Sequence, residues 1–451
     1  MARLFGTDGV RSKAGKPPLD VATIRRLGAA LVRALRQDAP SASQSGVRFL
    51  AGCDTRESGD WIERELAFGI ASQGGSLISA GIVPTPAVAY LTPRMGFTAG
   101  VVISASHNPF EDNGIKVFSG AGEKFTETLE RHVEAIMADA SWDVPPGDAP
   151  AVERADYRSE YIAHLESILP ADRRTRGMRL AIDCANGATT TIAPRLFRDL
   201  GFEVATVGVT PDGRNINLQC GSTAPELLAR TVVQGGYELG IAFDGDGDRA
   251  IFVDAKGRTV DGDAVIYMCA RRMKAEGRLK NDAVVATVMS NIGLELALRE
   301  AGIEMVRCPV GDKYVMEEML KRGLSLGGEQ SGHIIFADYL FTGDGLATSL
   351  NVLRTMAGEA RSLDALASQL VTYPQVLLNL RVQEKVDLNS LPAVAKVIAN
   401  VESQLEGQGR LLVRYSGTEP LLRVMLEGKD EHDIRRWGQE IIEAVRQHAG
   451  S

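Results

Sequence analysis

With 451 residues and 44% hydrophobic content, the chain is long enough for about three domains with sizeable cores. Its 50 basic and 58 acidic residues leave a net charge of −8. That balance argues against a nucleic-acid or anionic-membrane surface, so any anionic substrate would have to meet locally gathered Arg and Lys.

The five cysteines, at positions 53, 184, 220, 269 and 308, form no close pairs and read as reduced thiols rather than a zinc or disulfide framework. Met1 to Asp8 has no apolar signal core, and no later run approaches a membrane span, so the expectation is a cytoplasmic protein. Ala39 to Gly46 is Ser-rich and reads as a surface loop.

From Val47 onward one plan recurs three times. Val47 to Gly52 is a β-rich run, followed by the turn Cys53-Asp54-Thr55-Arg56, a helix from about Asp60 to Gly74-Gly75, and an apolar strand. Gly100 to Ile103 then leads into Ser104-Ala105-Ser106-His107-Asn108-Pro109, and Gly114 to Phe118 returns. Ser141 to Asp156, with three prolines, reads as a linker. The plan resumes with strand Met178 to Cys184, turn Ala185-Asn186-Gly187, a helix to Leu200-Gly201 and strand Phe202 to Val207. Gly240 to Phe243 leads into Asp244-Gly245-Asp246-Gly247-Asp248-Arg249, and Ala250 to Val253 returns. A third copy has strand Ala283 to Val288, turn Ser290-Asn291, a helix to Ala301-Gly302 and strand Ile303 to Val306. Here Leu324 to Leu326 leads into Gly327-Gly328-Glu329-Gln330-Ser331-Gly332-His333, and Ile334 to Phe336 returns.

Each helix stops at glycine, and strand, helix, strand at these lengths is a parallel βαβ unit. Ligands bind at the carboxyl ends of strands in such sheets, so the three loops are expected to face one cleft. Beyond the hinge at Val371 to Pro374 the pattern changes to strand Leu377 to Val382, a helix from Pro392, strands Leu411 to Tyr415 and Leu421 to Leu426, and helix Asp433 to Gln447. The expected class is α/β: three similar α/β domains with mixed sheets around a central cleft, plus a C-terminal α+β domain. The expected boundaries are 1–150, 157–255, 256–370 and 374–451.

The second loop carries the sharpest chemical signal. Asp244, Asp246 and Asp248 alternate with glycine, so an extended backbone sets all three carboxylates on one side. Like charges that close need a cation, and hard carboxylate oxygens suit Mg²⁺ or Ca²⁺. A calcium EF-hand needs Gly at the sixth loop position and Glu at the twelfth; Arg249 and Ala255 stand there, which leaves Mg²⁺. In the first loop Ser106 is the most plausible nucleophile, because it follows a buried strand, precedes His107-Asn108-Pro109 and would face the cleft; Ser104, two residues back, is its competitor. His107 reads equally as a base or as a hydrogen-bonded loop residue. In the C-terminal domain, Arg414-Tyr415-Ser416-Gly417-Thr418 with Arg423 reads as a phosphate cradle. His132, His164, His432 and His448 read as solvated.

Phe5-Gly6-Thr7-Asp8-Gly9-Val10-Arg11, Ser104 to Pro109, Asp244 to Arg249, Gly328 to His333 and Arg414 to Pro420 resemble the motifs of the α-D-phosphohexomutase superfamily, in its order and across nearly the whole chain. Asn215-Ile216-Asn217, Cys220 to Thr223, Thr342 to Gly345 and Leu422 to Met425 are most similar to its bacterial branch acting on glucosamine phosphates. The resemblance implies interconversion of glucosamine 6-phosphate and glucosamine 1-phosphate, a step toward UDP-N-acetylglucosamine. The alternatives are a glucose or mannose phosphate mutase and a Mg²⁺-dependent sugar phosphatase.

It further implies that Ser106 carries the phosphate and shares one Mg²⁺ with Asp244, Asp246 and Asp248. Arg249 would stabilise the transferring group, and Lys116 would act as acid/base or as an anion stabiliser. Glu329 and Ser331, with His333 nearby, would meet the sugar hydroxyls. Arg414, Ser416, Gly417, Thr418 and Arg423 would hold the distal phosphate, and Arg11 and Lys313 would add substrate contacts. A small-molecule sugar phosphate is then the expected partner, with no nucleic acid and no membrane. Ser12, Cys53, Ala224 and Lys313 depart from the family pattern; lysine at 313 keeps the charge of the usual arginine without its bidentate geometry.

Overall fold

The computed structural model describes residues 3–6, 8–38, 46–149, 151–169, 177–405, 407–416 and 420–448. It divides into two compact units, Met1–Met289 with Val306–Ser368, and Ser290–Met305 with Gln369–Ser451.

The first unit holds three mixed sheets. The first comprises β1 (Val10–Lys13), β2 (Arg48–Cys53), β3 (Ser76–Ile82), β4 (Ala99–Ile103), β5 (Asp112–Ser119) and β6 (Glu153–Arg154), in the order β1-β5-β4-β2-β3-β6. β2 runs parallel to β3 and β4, whereas β5 returns antiparallel to β4. The second comprises β7 (Arg179–Asp183), β8 (Glu203–Val207), β9 (Leu239–Phe243), β10 (Ala250–Asp254) and β11 (Thr259–Val260), in the order β11-β10-β9-β7-β8. Again β9 is parallel to β7, and β10 returns antiparallel to β9. The third comprises β12 (Ala283–Thr287), β13 (Glu304–Cys308), β14 (Leu326–Gly328) and β15 (Ile334–Phe336), in the order β13-β12-β14-β15, with the same antiparallel return from β14 to β15. Every residue of β4, β9 and β14 is buried, as expected for strands covered on both faces.

Helices cover the first sheet because their apolar positions recur at helical spacing. Ile24, Leu27, Leu31 and Leu35 line one buried stripe of the helix Val21–Asp38. Asp20 opens that helix by accepting the Thr23 N–H at 3.1 Å. It packs on the helix Gly59–Ser72 through glycine: a β-carbon at Gly69 would lie 2.0 Å from the Arg25 carbonyl oxygen. One expected helix differs. After the turn at Gly187 the chain makes a short 3₁₀ segment, Ala188–Thr191, and the α-helix begins only at Ala193. Pro194 lacks the N–H a longer helix would need and suits a first turn.

The second unit has an antiparallel sheet of β16 (Gln375–Arg381), β17 (Arg410–Tyr415) and β18 (Leu421–Glu427), in the order β16-β18-β17. The helices Pro392–Leu405 and Glu431–His448 close a core that includes Val394, Val401, Leu422, Val424, Ile434 and Ile441. The helix Ile292–Glu300, which periodicity assigns to the third repeat, groups with this unit. The buried Glu427 accepts the Ile292 N–H at 3.2 Å, a favourable place for a carboxylate. Asn291 exchanges hydrogen bonds with the Tyr373 backbone at 2.9 and 3.0 Å. All five cysteines are free and buried. Among the described residues no helix is long and apolar enough to cross a membrane.

Candidate active site

The hairpin returns place the loop after β4 against the loop after β9. Ser106 Oγ donates to Asp244 Oδ2 at 2.5 Å and lies 3.3 Å from His107 Nδ1. Ser104 is fully buried and donates its hydroxyl to Asp54 Oδ2 at 2.6 Å. Of the two serines, Ser106 is the one hydrogen-bonded to the aspartate triad. The glycines between the aspartates have a steric purpose. A β-carbon at Gly245 would lie 2.5 Å from the Ser106 carbonyl oxygen, and Gly247 has φ +72°.

Asp244, Asp246 and Asp248 are all buried, with ligand-capable oxygens within 4.8 Å of one another. Burial, then Asp248 and Asp246, push the Asp244 carboxyl well above the usual range. Asp246 Oδ1 is buried with no hydrogen-bond partner among the described residues. Three hard oxygen donors, mutual repulsion and an unsatisfied buried oxygen fit a divalent cation such as Mg²⁺. A second trio, Asp248, Asp312 and His333, fits less well, because Lys124 already holds Asp312 and Gly343 N–H already occupies His333 Nε2 at 3.0 Å.

Around the triad runs a closed ring in which Lys116, Lys124 and the His333 imidazole separate Asp8, Asp312 and Asp248. Lys116 Nζ lies 2.8 Å from Asp246 Oδ2, 3.1 Å from Asp248 Oδ2 and 2.9 Å from Asp8 Oδ2. Asp8 is paired with Lys124, and Lys124 with Asp312. Asp312 Oδ2 is 3.8 Å from His333 Nε2, and His333 Nδ1 is 3.5 Å from Asp248 Oδ1. Since Nε2 accepts from Gly343, the ring proton belongs on Nδ1, facing Asp248.

Burial opposes the charge on Lys116, but Asp246, Asp248 and Asp8 outweigh it and hold the ammonium well above its usual range. Burial likewise opposes the charge on Asp8, and Lys116, Lys124 and Arg11 hold that carboxyl well below its usual range. Lysine 116 is thus a charged bridge here, not an amine lowered by burial. Burial, with Arg249 and Arg11, holds His107 below the ordinary imidazole value, so it is neutral at pH 7.

Arg249 donates its backbone N–H to Asp244 Oδ1 at 3.1 Å, and its Nε lies 3.8 Å from Asp248 Oδ1, buried and without a hydrogen-bond partner among the described residues. Arg11 pairs with Asp8. Glu329 accepts the Gly311 N–H at 3.1 Å, and Ser331 Oγ is 3.5 Å from Glu329 Oε2. Lys313 is buried, with its backbone N–H donating to Asp312 Oδ1 at 2.7 Å and Nζ 2.7 Å from Glu130 Oε2. His333 is 1% exposed and faces Asp248 from within.

In the C-terminal unit, Arg414 and Arg423 are direct partners across β17 and β18. The carbonyl of the buried Ser416 accepts from Lys385 Nζ at 2.7 Å. Gly417 and Thr418 lie outside the described residues, as does Thr7 of the first motif. Sequence reading missed Lys124 and Asp312 as parts of the site; their only signal is proximity in the fold. One reading is corrected: His164 is half-buried and stacked on Tyr90 at 4.1 Å between ring centroids, not solvated.

Four family models cover nearly the whole chain. These are phosphoglucomutase/phosphomannomutase α/β/α domain I over residues 2–143, domain II over 159–257, domain III over 261–373 and the C-terminal domain over 377–444. The chain is 48% identical over 450 residues to a phosphoglucosamine mutase of Solibacter usitatus (strain Ellin6076), covering 99% of each. It is 46% identical over 454 residues to one of Geobacter sp. (strain M21), covering 100% of this chain and 99% of that protein. A phosphoglucomutase/phosphomannomutase family protein from Burkholderia thailandensis shares the fold with a TM-score of 0.80 at 24% identity, over 99% of this chain and 97% of that one. Aspergillus fumigatus N-acetylphosphoglucosamine mutase, solved with GlcNAc-6P and magnesium, shares it with a TM-score of 0.67 at 19% identity, over 99% and 96%. The chain therefore belongs to the phosphoglucomutase/phosphomannomutase family and is a phosphohexomutase, an intramolecular phosphotransferase and isomerase.

Proposed function

We propose that the chain interconverts glucosamine 6-phosphate and glucosamine 1-phosphate through a phosphorylated Ser106 and a glucosamine 1,6-bisphosphate intermediate, on the way to UDP-N-acetylglucosamine. The observation that carries the mechanism is the 2.5 Å contact of Ser106 Oγ with Asp244, one of three clustered carboxylates. The choice of substrate rests on full-length relatives called phosphoglucosamine mutase at 46% and 48% identity. The four family-model spans support domain boundaries near 150, 256 and 374.

In the forward half-reaction a sugar hydroxyl attacks the phosphorus on Ser106. The new O–P bond to the sugar forms as the Oγ–P bond breaks, and the hydroxyl proton ends on Oγ. Neutral His107, 3.3 Å from that oxygen, is placed to carry it. The bisphosphate then presents its other end, and the reverse transfer rephosphorylates Ser106. Such transfer depends mainly on positioning and charge neutralisation. Asp244, Asp246, Asp248 and a phosphate oxygen on Ser106 would hold one Mg²⁺, which when bound supplies positive charge for the transferring group. Lys116 and Arg249 add positive charge at the same place. Glu329, Ser331 and Arg11 are assigned to the sugar, and Arg414, Ser416, Gly417, Thr418 and Arg423 to the phosphate that is not reacting. Lys313 and His333 are assigned to the substrate as well, with their side chains held here by Glu130 and Asp248.

The test is a side-by-side assay of glucosamine, glucose and mannose 6-phosphates with purified protein. Glucosamine 6-phosphate should turn over fastest. Faster conversion of mannose 6-phosphate would sink the substrate assignment.

A further inference from the structure

Ser106 reaches Asp244 from a left-handed backbone, φ 53°, a conformation that a β-carbon disfavours. Such a residue persists only where its surroundings hold it, and both of its backbone groups are held by one circuit. The Ser106 N–H donates to Ser104 Oγ at 2.9 Å, and Ser104 Oγ donates to Asp54 Oδ2 at 2.6 Å. Asp54 is ion-paired with Arg56 Nε at 3.1 Å, and the Arg56 guanidinium returns to the Ser106 carbonyl at 2.9 Å. The same guanidinium donates to the carbonyls of Asn108, at 2.8 and 3.2 Å, and Pro109, at 3.1 Å. From the second repeat, Asn217 Nδ2 donates to the Ser106 carbonyl at 2.9 Å and to that of Asn108 at 3.1 Å. Asp54, Arg56 and Ser104 are at most 3% exposed, so they are shielded from substrate.

We infer that Asp54, Arg56, Ser104 and Asn217 are positioning residues that clamp the reacting serine in its left-handed conformation, so that its phosphate stays aligned for transfer in both directions. This rests on Ser106 being the phosphorylated residue. The planar fork of Arg56 serves three carbonyls and a carboxylate together, which a lysine cannot do. Because the clamp acts through the backbone of Ser106, its loss should slow the chemical step and leave binding of the sugar phosphate almost untouched.

The experiment compares full-length Arg56→Lys, Ser104→Ala and Asn217→Ala with the unmodified protein. It reads kcat and KM for glucosamine 6-phosphate, phosphate on Ser106 by mass spectrometry after glucose 1,6-bisphosphate, and Tm. For Arg56→Lys, kcat should fall about a hundredfold, the effect of a misplaced reacting group. For Ser104→Ala and Asn217→Ala it should fall about tenfold, the net weight of the two hydrogen bonds each loses. In each case KM should stay within about threefold, as expected for a loss confined to the transition state.

Arg56→Lys also weakens a buried ion pair, so the two smaller variants decide the matter where it fails to fold. Unchanged kcat in both of them overturns the clamp. So does a loss fully explained by a smaller folded fraction, or a rise in KM at constant kcat. An unmodified protein with neither phosphate on Ser106 nor mutase turnover overturns the functional reading itself, which is a different result from an active protein indifferent to these substitutions.

Discussion

Around Ser106, Lys116 bridges Asp246, Asp248 and Asp8, and Lys124 joins Asp8 to Asp312, all closely paired and nearly all buried. In the C-terminal unit, Arg414 and Arg423 stand directly opposite one another on neighbouring strands, with Arg414 exposed. Like charges in that register repel, and an anion would relieve them. The first region is assembled by folding, because buried charges without partners are costly. The second stands partly exposed, where a ligand can reach it. Substitutions should therefore act on stability and chemistry in the first region and on substrate affinity in the second.

The largest effect should come from removing divalent cation. With chelator, mutase turnover is expected to fall by about a thousandfold or more, the several kcal/mol a metal contributes, and Mg²⁺ should restore it. Turnover indifferent to chelator would remove the assigned role of the aspartate triad.

Next is Lys124→Met, which keeps the length of the side chain but leaves Asp8 and Asp312 facing each other. A stability loss of about 3–5 kcal/mol is expected, as for breaking a buried pair. Chemical unfolding measures it, and a change below about 1 kcal/mol, the scale of a surface pair, would show that the ring is not what joins these segments.

Asp344 sharpens the contrast, because neutral partners answer it. It accepts from Tyr161 Oη at 2.7 Å and from the Ala347 N–H at 2.9 Å, and burial pushes its pKa up to about 6 from the ordinary 3.8. A carboxyl raised on folding binds its proton more tightly in the folded state. Its contribution is therefore intact below pH 3.8 and is lost as pH rises toward about 6. A rise of that size corresponds to a loss of about 3 kcal/mol. Asp344→Asn should lack this component, so the stability difference between the two proteins, read by urea unfolding, should change in favour of the variant from about pH 4 to about pH 7. A pH-independent difference would refute a buried, proton-retaining Asp344.

The smallest effect belongs to Arg414→Ala. KM should rise about tenfold, one charge-assisted hydrogen bond, with Tm unchanged. A lower Tm with an unchanged KM would place Arg414 in the fold and not in the phosphate cradle.

The repeated βαβ plan was legible because it is local: glycine stops, apolar runs and turn residues fall at matching offsets. The aspartate triad was legible for the same reason. Ser106 was preferred over Ser104 from its place before His107-Asn108-Pro109, but the partners of the two serines were not legible: Asp54 takes the Ser104 hydroxyl and Arg56 holds the Ser106 carbonyl, each fifty residues away in sequence. Lys313 was expected at the substrate on motif position alone, yet Glu130, across a separation of 183 residues, takes its ammonium. His164 sits in a polar helical stretch, and nothing local announces that Tyr90 will stack on it. Short-range pattern thus reveals which residue types gather in a loop, whereas long-range contacts decide which of them is available.

The central claim is that Ser106 carries the phosphoryl group that moves. The most direct measurement is to charge the purified protein with ³²P-labelled glucose 1,6-bisphosphate, locate the label by peptide mapping, and chase it with unlabelled glucosamine 6-phosphate. The label should sit on Ser106, leave with the sugar at a rate matching turnover, and be absent from Ser106→Ala, which should be inactive. Label on another residue, or full turnover by Ser106→Ala, would contradict the claim.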